Sequence, residues 1–201
     1  MKIGLVPMSA KPYHIGHHAL AEMAASQNDR VILFVSLSDR KRKGQVPIMG
    51  SHMEDIWQTE IEPVLPPNVE VVYGGSPVRK VYEELERANV SNSDHIYRVY
   101  SDPVDTARNY PETNRIKNFR NLYQRGQVIF AAEENPSQFT RGAGTPNISG
   151  TAMRNALECG NKEEFKAGLP DGVDKERIYM MLCPLRQEHT LRHLIRSILA
   201  K

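Results

Sequence analysis

The chain has 201 residues, with 26 Lys and Arg against 24 Asp and Glu and a formal net charge of +2. This length suits a compact protein with a sizeable core, and the small net charge argues against a generally basic surface that binds nucleic acid or membranes. Two cysteines are too few for a disulfide framework. No apolar run approaches the ~20 residues that span a bilayer, and the N-terminus lacks a signal-peptide core. We therefore expect a cytoplasmic protein with neither a nucleic-acid nor a membrane partner.

Short β-type runs alternate with helical patterns along the first two thirds of the chain, which is typical of a parallel α/β sheet. The second run, Val31 to Val35, is continuously apolar, as expected for a strand covered on both faces. The polar stretch from 102 to 123 has no pattern that predicts its structure. The predicted strands are 3–6, 31–35, 69–73, 95–100 and 127–131, and the predicted helices among them are 17–26, 49–64 and 78–88.

Beyond residue 148 only helical patterns remain, at 151–159, 163–166, 175–183 and 188–200. We predict an α/β protein with a Rossmann-like five-stranded parallel sheet, helices on both faces and a C-terminal helical extension. Residues 1–160 would form one domain, and residues 161–201 would pack on it as the extension. Ligands of such sheets bind at the carboxyl ends of the strands, so the loops that follow the strands are the candidate sites.

The loop after the first predicted strand is rich in groups that can bind phosphate. A helix N-terminus follows it and offers backbone N–H groups together with the positive end of the helix dipole. His14 and His17 can donate N–H groups, and Gly16 allows close approach of the backbone. Lys11 and the Ser9 hydroxyl can add contacts. Two other interpretations stay open: a chance cluster, or a metal site that uses the histidines.

A second candidate anion site lies late in the chain, where the sequence reads Ser149-Gly150-Thr151-Ala152-Met153-Arg154. Ser149 or Thr151 is a suitable helix N-cap, and Thr151 and Arg154 have the i,i+3 spacing that places them on one helix face. A hydroxyl and a guanidinium at a helix start suit a phosphate group. The alternative is an ordinary capped helix.

These two segments resemble motifs of one superfamily. His14-Ile15-Gly16-His17, preceded by Pro12, resembles the HxGH motif of the nucleotidyltransferases, and residues 148–154 are similar to their ISxTxxR motif, which binds the triphosphate of the nucleotide. Met8 and Ala10 stand where Gly and Phe are usual. The resemblance implies that His14, His17 and Arg154 are catalytic, and that Ser149 and Thr151 bind the nucleotide. We expect Lys43 to join the catalytic residues, and Ser9, Lys11 and Gly16 to bind the nucleotide from the first loop.

Three further features carry weaker signals. The run Asp39-Arg40-Lys41-Arg42-Lys43 follows the second strand, and it is either a solvated surface or the source of one phosphate-binding cation, Lys43 or Arg40. Asp102 ends the fourth strand, where it could hold a ribose hydroxyl of the nucleotide or cap the next segment. Residues 141–144 could line the nucleotide pocket, whereas His189 and His193 are expected at the surface.

The reaction that the resemblance implies needs positive charge more than a strong base. A substrate phosphate is already an anion near pH 7, because its second pKa is about 6, so it can attack the α-phosphate of a nucleoside triphosphate. The protein must align the groups and stabilise the departing pyrophosphate. Mg²⁺ is expected on the phosphates, held largely by substrate oxygens and water.

The form of the second motif is similar to nicotinamide-mononucleotide adenylyltransferases of NAD biosynthesis. We therefore expect transfer of AMP from ATP to a small phosphate-bearing acceptor of that kind, with release of pyrophosphate. The first alternative is a cytidylyltransferase that activates a polyol or amino-alcohol phosphate with CTP. The second is a non-catalytic nucleotide-binding or structural protein on this fold. Many relatives assemble, so a homo-oligomer is compatible with the resemblance.

Overall fold

A computed structural model describes residues 1–43, 45–139, 142, 144 and 146–183. The predicted helix at 188–200, the two histidines in it, and Arg141 and Ala143 lie outside the described residues. Within them, five strands follow one another along the chain. Their bounds are β1 Lys2–Met8, β2 Arg30–Val35, β3 Val69–Tyr73, β4 Ile96–Val99 and β5 Val128–Phe130.

All pairings in the sheet are parallel, and the spatial order is β3-β2-β1-β4-β5. The register sets Leu5 of β1 between Ile32 of β2 and Val99 of β4. The strand order reverses at β1, since β2 lies on one side of it and β4 on the other. This confirms the predicted α/β fold with a five-stranded parallel sheet. The loop after β1 therefore starts at the topological switch point, where such sheets bind ligands.

Nine helices of the described residues connect or follow these strands. Two polar stretches without a sequence-based prediction, on either side of Pro111, turn out to be helical. Asp102 accepts a hydrogen bond from the Asp105 backbone N–H at 2.9 Å and caps the first of these helices, and Pro103 occupies its first turn. The bounds are α1 Ile15–Gln27, α2 Gly50–Ile56, α3 Pro77–Val90, α4 Pro103–Asn109, α5 Glu112–Gln124, α6 Ala131–Glu134, α7 Gly150–Glu158, α8 Lys162–Ala167 and α9 Lys175–Leu182.

The predicted helix at 49–64 is not continuous. The α-helical part, α2, ends at Ile56, a π-helical turn follows at Trp57–Ile61, and a 3-10 turn at Glu62–Val64 completes the segment. Pro63 lacks the N–H group that would extend an α-helical ladder, which accounts for the change near the end of this segment. The predicted fifth strand is also shorter than expected, because Ala131 already begins α6.

Helices cover both faces of the sheet. Side chains alternate along a strand, so Ile3 and Leu5 point to one face, where they belong to the same buried cluster as Leu85 of α3 and Phe119 of α5. Gly4 points to the other face, where a Cβ atom would meet the Asn28 amide just beyond α1 at 3.0 Å. The sheet is therefore buried on both sides, as its apolar strands predict.

The chain divides into two compact units. The first unit contains the sheet and comprises residues 1–10, 15–38 and 65–147. The second comprises residues 11–14, 39–64 and 148–201 and contains α2, the π-helical turn and α7 to α9. The predicted boundary near residue 160 stays a prediction. No helix among the described residues is long and apolar enough to cross a bilayer.

The second unit has its own tightly packed interior. The Tyr13 ring packs edge-to-face with Trp57 of the π-helical turn, with ring centroids 4.8 Å apart, and both side chains are buried. Phe165 of α8 packs against Tyr179 of α9 at 5.8 Å. Arg177 of α9 lies 2.7 Å from Glu60 and 3.3 Å from Asp55. These contacts hold the segment Lys11–His14 and helix α9 against the segment that begins with α2.

Candidate phosphate-binding site

The candidate site begins at the N-terminus of α7. Ser149 has extended backbone dihedrals, and its hydroxyl accepts a hydrogen bond from the Ala152 backbone N–H at 3.1 Å. Ser149 is therefore the N-cap, which leaves the Thr151 hydroxyl available for another partner. That partner is Arg154, whose Nη2 atom donates to Thr151 Oγ1 at 2.9 Å. The i,i+3 pair predicted from the sequence is formed.

Arg154 is the central residue of this site, and it is 5% exposed. Besides its bond to Thr151, it donates from Nη1 to the carbonyl oxygen of Lys11 at 2.8 Å and from Nε to Gln45 Oε1 at 3.2 Å. A guanidinium carries five N–H donors, so two remain beyond these three bonds. All three acceptors are neutral oxygens. Among the residues that the structure describes, no carboxylate lies within ion-pair distance of Arg154.

The surroundings of Arg154 are electropositive. Burial, followed by the nearby charges of Arg40 and Arg42, lowers the pKa of Arg154 to about 10. The side chain of Lys11 is also buried, and burial lowers the pKa of its ammonium group, an effect that Asp39 opposes and Arg40 reinforces. With a pKa of about 10, Arg154 is still charged at neutral pH. A concentration of positive charge in a protected site is favourable only when an anion joins it.

Gly150 provides the space that the Arg154 guanidinium occupies. A Cβ atom at this position would lie 3.0 Å from Arg154 Nη1 and 3.7 Å from the Lys11 carbonyl oxygen. A Cβ contact of 3.0 Å is tighter than nearly all such contacts in proteins, so a larger residue would make the guanidinium shift by a few tenths of an ångström. The resemblance to the ISxTxxR motif leaves this position unspecified, and sequence reasoning did not single it out.

The loop after β2 contributes the remaining cations. Arg40 and Ile48 exchange backbone hydrogen bonds at 2.8 and 3.0 Å, which closes the segment between them into a hairpin-like loop. Arg40 is half-buried, and its Nε atom is buried without a hydrogen-bond partner among the described residues. Lys43 is exposed and forms no ion pair within the described part of the chain. Of the two cations that the sequence left open, Arg40 is therefore the one beside Arg154.

The other residues that the sequence predicted for the site do not all lie in the same unit. His14 is 6% exposed and belongs, with Lys11, to the second unit. Gly16 and His17 lie in the first turn of α1, and Ser9 is exposed just beyond β1, so these three belong to the first unit, as does Asp102. The structure thus brings together Lys11, Ser149, Thr151 and Arg154. Arg40, one of the two cations that the sequence left open, belongs to the same group, and the structure adds Gln45 and Gly150.

Asp102 serves as the N-cap of α4, which is the alternative to a nucleotide contact that the sequence allowed. Its nucleotide-binding role stays a prediction. Within the described residues, no group of three His, Cys, Asp or Glu side chains is arranged to hold a metal ion.

No protein-family model matches the chain, and no curated protein gives a significant match.

Proposed function

We propose that the protein is a nucleotidyltransferase that transfers AMP from ATP to a small phosphate-bearing acceptor, of the nicotinamide-mononucleotide type, and releases pyrophosphate. In this proposal the side chains of Lys11, Thr151 and Arg154 bind the triphosphate. His14 follows Lys11 closely in the chain, and the resemblance to the HxGH motif assigns it and His17 to phosphate oxygens near the reacting centre.

One observation carries the proposal: the buried Arg154 guanidinium is held by three neutral oxygens and has no carboxylate partner among the described residues. Arginine buried for structural reasons is normally paired with a carboxylate, because an unpaired buried charge is costly. A phosphate group would supply the missing negative charge and accept hydrogen bonds from the two remaining N–H groups. An arginine clamped in this way supports a role in phosphate binding.

The proposed reaction is an in-line displacement at the α-phosphorus. A phosphate oxygen of the acceptor forms a bond to this phosphorus, and the bond to the bridging oxygen of the β-phosphate breaks. The electron pair of the broken bond leaves with pyrophosphate. The acceptor phosphate is ionised near pH 7, so the protein needs positive charge on the leaving group and alignment of the reactants.

Mg²⁺ fits this site as part of the nucleotide substrate. The side chains around Arg154 are cations, an amide and hydroxyls, which do not suit Mg²⁺ ligation by the protein itself. The ion would be held by phosphate oxygens and water, and its charge would help to neutralise the triphosphate. Lys11 and Arg154 then bind oxygens that the ion leaves open.

Pyrophosphate release with ATP or CTP, measured against a panel of small phosphates that includes nicotinamide mononucleotide, tests the proposal. We expect turnover with ATP and a mononucleotide acceptor. Turnover with CTP and a polyol phosphate would identify a cytidylyltransferase instead. Nucleotide binding without turnover for every pair would point to a non-catalytic protein and would contradict the proposal.

A binding experiment isolates the phosphate site from the choice of acceptor. Inorganic tripolyphosphate at a hundred times its Kd should stabilise the wild type by about 2.7 kcal/mol, which raises its Tm by several degrees. The Arg154→Gln variant should lose most of this shift. Arg120 is exposed on α5 and forms no ion pair in the described part of the chain, so Arg120→Gln removes the same charge and should respond like the wild type.

A further inference from the structure

Gln45 lies between two arginine side chains. Its Oε1 atom accepts the Nε–H of Arg154 at 3.2 Å and lies 3.5 Å from Nη2 of Arg40. The first of these contacts joins residues 109 positions apart in the sequence. A single amide oxygen is therefore the common neighbour of both guanidinium groups.

The loop that carries Gln45 is fixed at several points. The backbone N–H of Gln45 donates to the Arg42 carbonyl oxygen at 3.1 Å, and the next residue, Val46, is buried. Ile48 is fully buried and exchanges two backbone hydrogen bonds with Arg40. The backbone of Gln45 is thus anchored by contacts of its own, and its amide oxygen is placed by the two arginine contacts.

The chemistry of this contact is notable because two like charges meet at a neutral acceptor. Two guanidinium groups this close repel each other, and a carboxylate between them would give a stable ion-paired triad. Such a triad would also cancel the positive charge that an anion needs. An amide oxygen accepts both N–H groups while leaving the net charge of the cluster intact.

We propose that Gln45 is a positioning residue that holds the guanidinium groups of Arg154 and Arg40 side by side without neutralising them, so that both face the triphosphate of the nucleotide. This inference rests on the proposed function only in its phosphate-binding part. It extends the site to Arg40, whose buried Nε has no hydrogen-bond partner among the described residues.

The decisive variant is Gln45→Glu, which keeps the shape of the side chain and changes the acceptor to a carboxylate. The new ion pairs with Arg154 and Arg40 should leave the Tm unchanged or raise it. The same ion pairs should weaken binding of inorganic tripolyphosphate at least ~10-fold, because one unit of positive charge is lost from the cluster. Gln58 is exposed on the π-helical turn of the same unit, so Gln58→Glu provides the same charge change and should bind like the wild type.

A second variant, Gln45→Leu, removes the acceptor without adding charge. It should also weaken tripolyphosphate binding, by several-fold, since the arginine side chains lose their common neighbour, and it should lower the Tm. A merely structural role for Gln45 would make affinity and Tm fall together in both variants. The proposal requires that Gln45→Glu lowers the affinity for tripolyphosphate without lowering the Tm.

Isothermal titration calorimetry with tripolyphosphate and a thermal melt of each variant give the result. The inference is supported if the wild type binds tripolyphosphate and the Gln45→Glu variant is fully folded but binds it more weakly. Equal affinity of Gln45→Glu and wild type, or a loss of affinity that accompanies a lower Tm, overturns it and leaves the proposed function standing. Failure of the wild type to bind tripolyphosphate overturns the proposed function and this inference with it.

Discussion

The guanidinium of Arg154 donates a 2.8 Å hydrogen bond to the carbonyl oxygen of Lys11, which precedes it by 143 positions. This bond joins the two segments that the sequence singled out as anion sites. Lys11 contributes its main-chain carbonyl group to this contact. The two segments are thus linked through a neutral oxygen, which does not cancel the positive charge of Arg154.

The affinity for ATP should fall at high pH. Burial lowers the pKa of Arg154 to about 10, well below its usual value, and burial also lowers the pKa of Lys11. A bound anion favours the protonated forms, so binding should be constant around pH 8–9 and decline as pH rises through about 10. The phosphates stay ionised throughout this range, since their last pKa is near 6.

Calorimetric titration of metal-free ATP at each pH checks this prediction, with circular dichroism to verify that the protein stays folded. The pH dependence of the folding stability has the opposite sign to that of ATP binding. Above about pH 10 the unfolded chain binds more protons than the folded one, because Arg154 keeps its usual, higher pKa when unfolded, so its contribution to the free energy of unfolding increases with pH there. An ATP affinity that is unchanged beyond pH 10.5 would contradict the assignment of Arg154 to the anion site.

Gly150→Ala should separate binding from stability. The new Cβ atom would lie 3.0 Å from Arg154 Nη1, so the guanidinium has to move, and we expect ATP affinity to fall ~10-fold. Stability should change little, because the atom that the new Cβ meets is the end of a flexible side chain and not backbone. Asn155→Ala, at an exposed position of the same helix, should affect neither quantity. Wild-type affinity in Gly150→Ala would show that the position of the guanidinium does not matter.

His17→Ala should slow turnover at least ~10²-fold and leave the Tm nearly unchanged. This residue lies in the first turn of α1, and the proposed function assigns it to the charge that develops on the phosphates. Its neighbour His18, which lies 3.7 Å from Glu22 in the next turn, provides the matched control. Steady-state pyrophosphate release should be close to normal in His18→Ala. Full activity of the His17→Ala variant would remove this histidine from the chemistry.

Gly168→Ala should destabilise the second unit. A Cβ atom there would approach Met153 Sδ to 2.2 Å and Ile148 Cδ1 to 2.5 Å, so the side chains beneath α7 would have to repack. We expect a loss of about 1–3 kcal/mol in the free energy of unfolding, measured by urea denaturation. Combining it with Met153→Ala removes the clashing sulfur, so the double variant should be more stable than the sum of the two single effects predicts. Strict additivity would show that this contact is not the cause.

The sheet could be predicted because its strands are short apolar runs separated by helical patterns. The helices α4 and α5 were missed, since their sequences are polar and Phe119 interrupts the regular dihedrals of α5. A usable signal did exist: Asp102 directly before Pro103 is a typical N-cap followed by a proline in the first turn. The change of helix type after α2 was also missed, although Pro63 near the end of that segment was a usable signal that an α-helix could not continue through it.

The candidate site could be predicted only in part. Spacing alone indicated the Thr151–Arg154 pair, and it is formed. The acceptors that complete the arginine clamp could not be read from sequence, because one is a backbone carbonyl and the other, Gln45, belongs to no motif. The choice between Arg40 and Lys43 also required coordinates, since a run of cations looks alike in sequence whether it is buried or solvated.

The four residues Lys11–His14 belong to the second unit, whereas the residues on both sides of them belong to the first. Consequently, no single cut in the gene separates the units into two independent products. A fragment that starts at residue 148 would carry Arg154 but lack the carbonyl group that anchors it. A protein engineer who moves the segment from residue 148 onward into another scaffold must therefore move Lys11–His14 with it. In a fragment-complementation experiment, phosphate binding should return only when a fragment that contains Lys11–His14 is present.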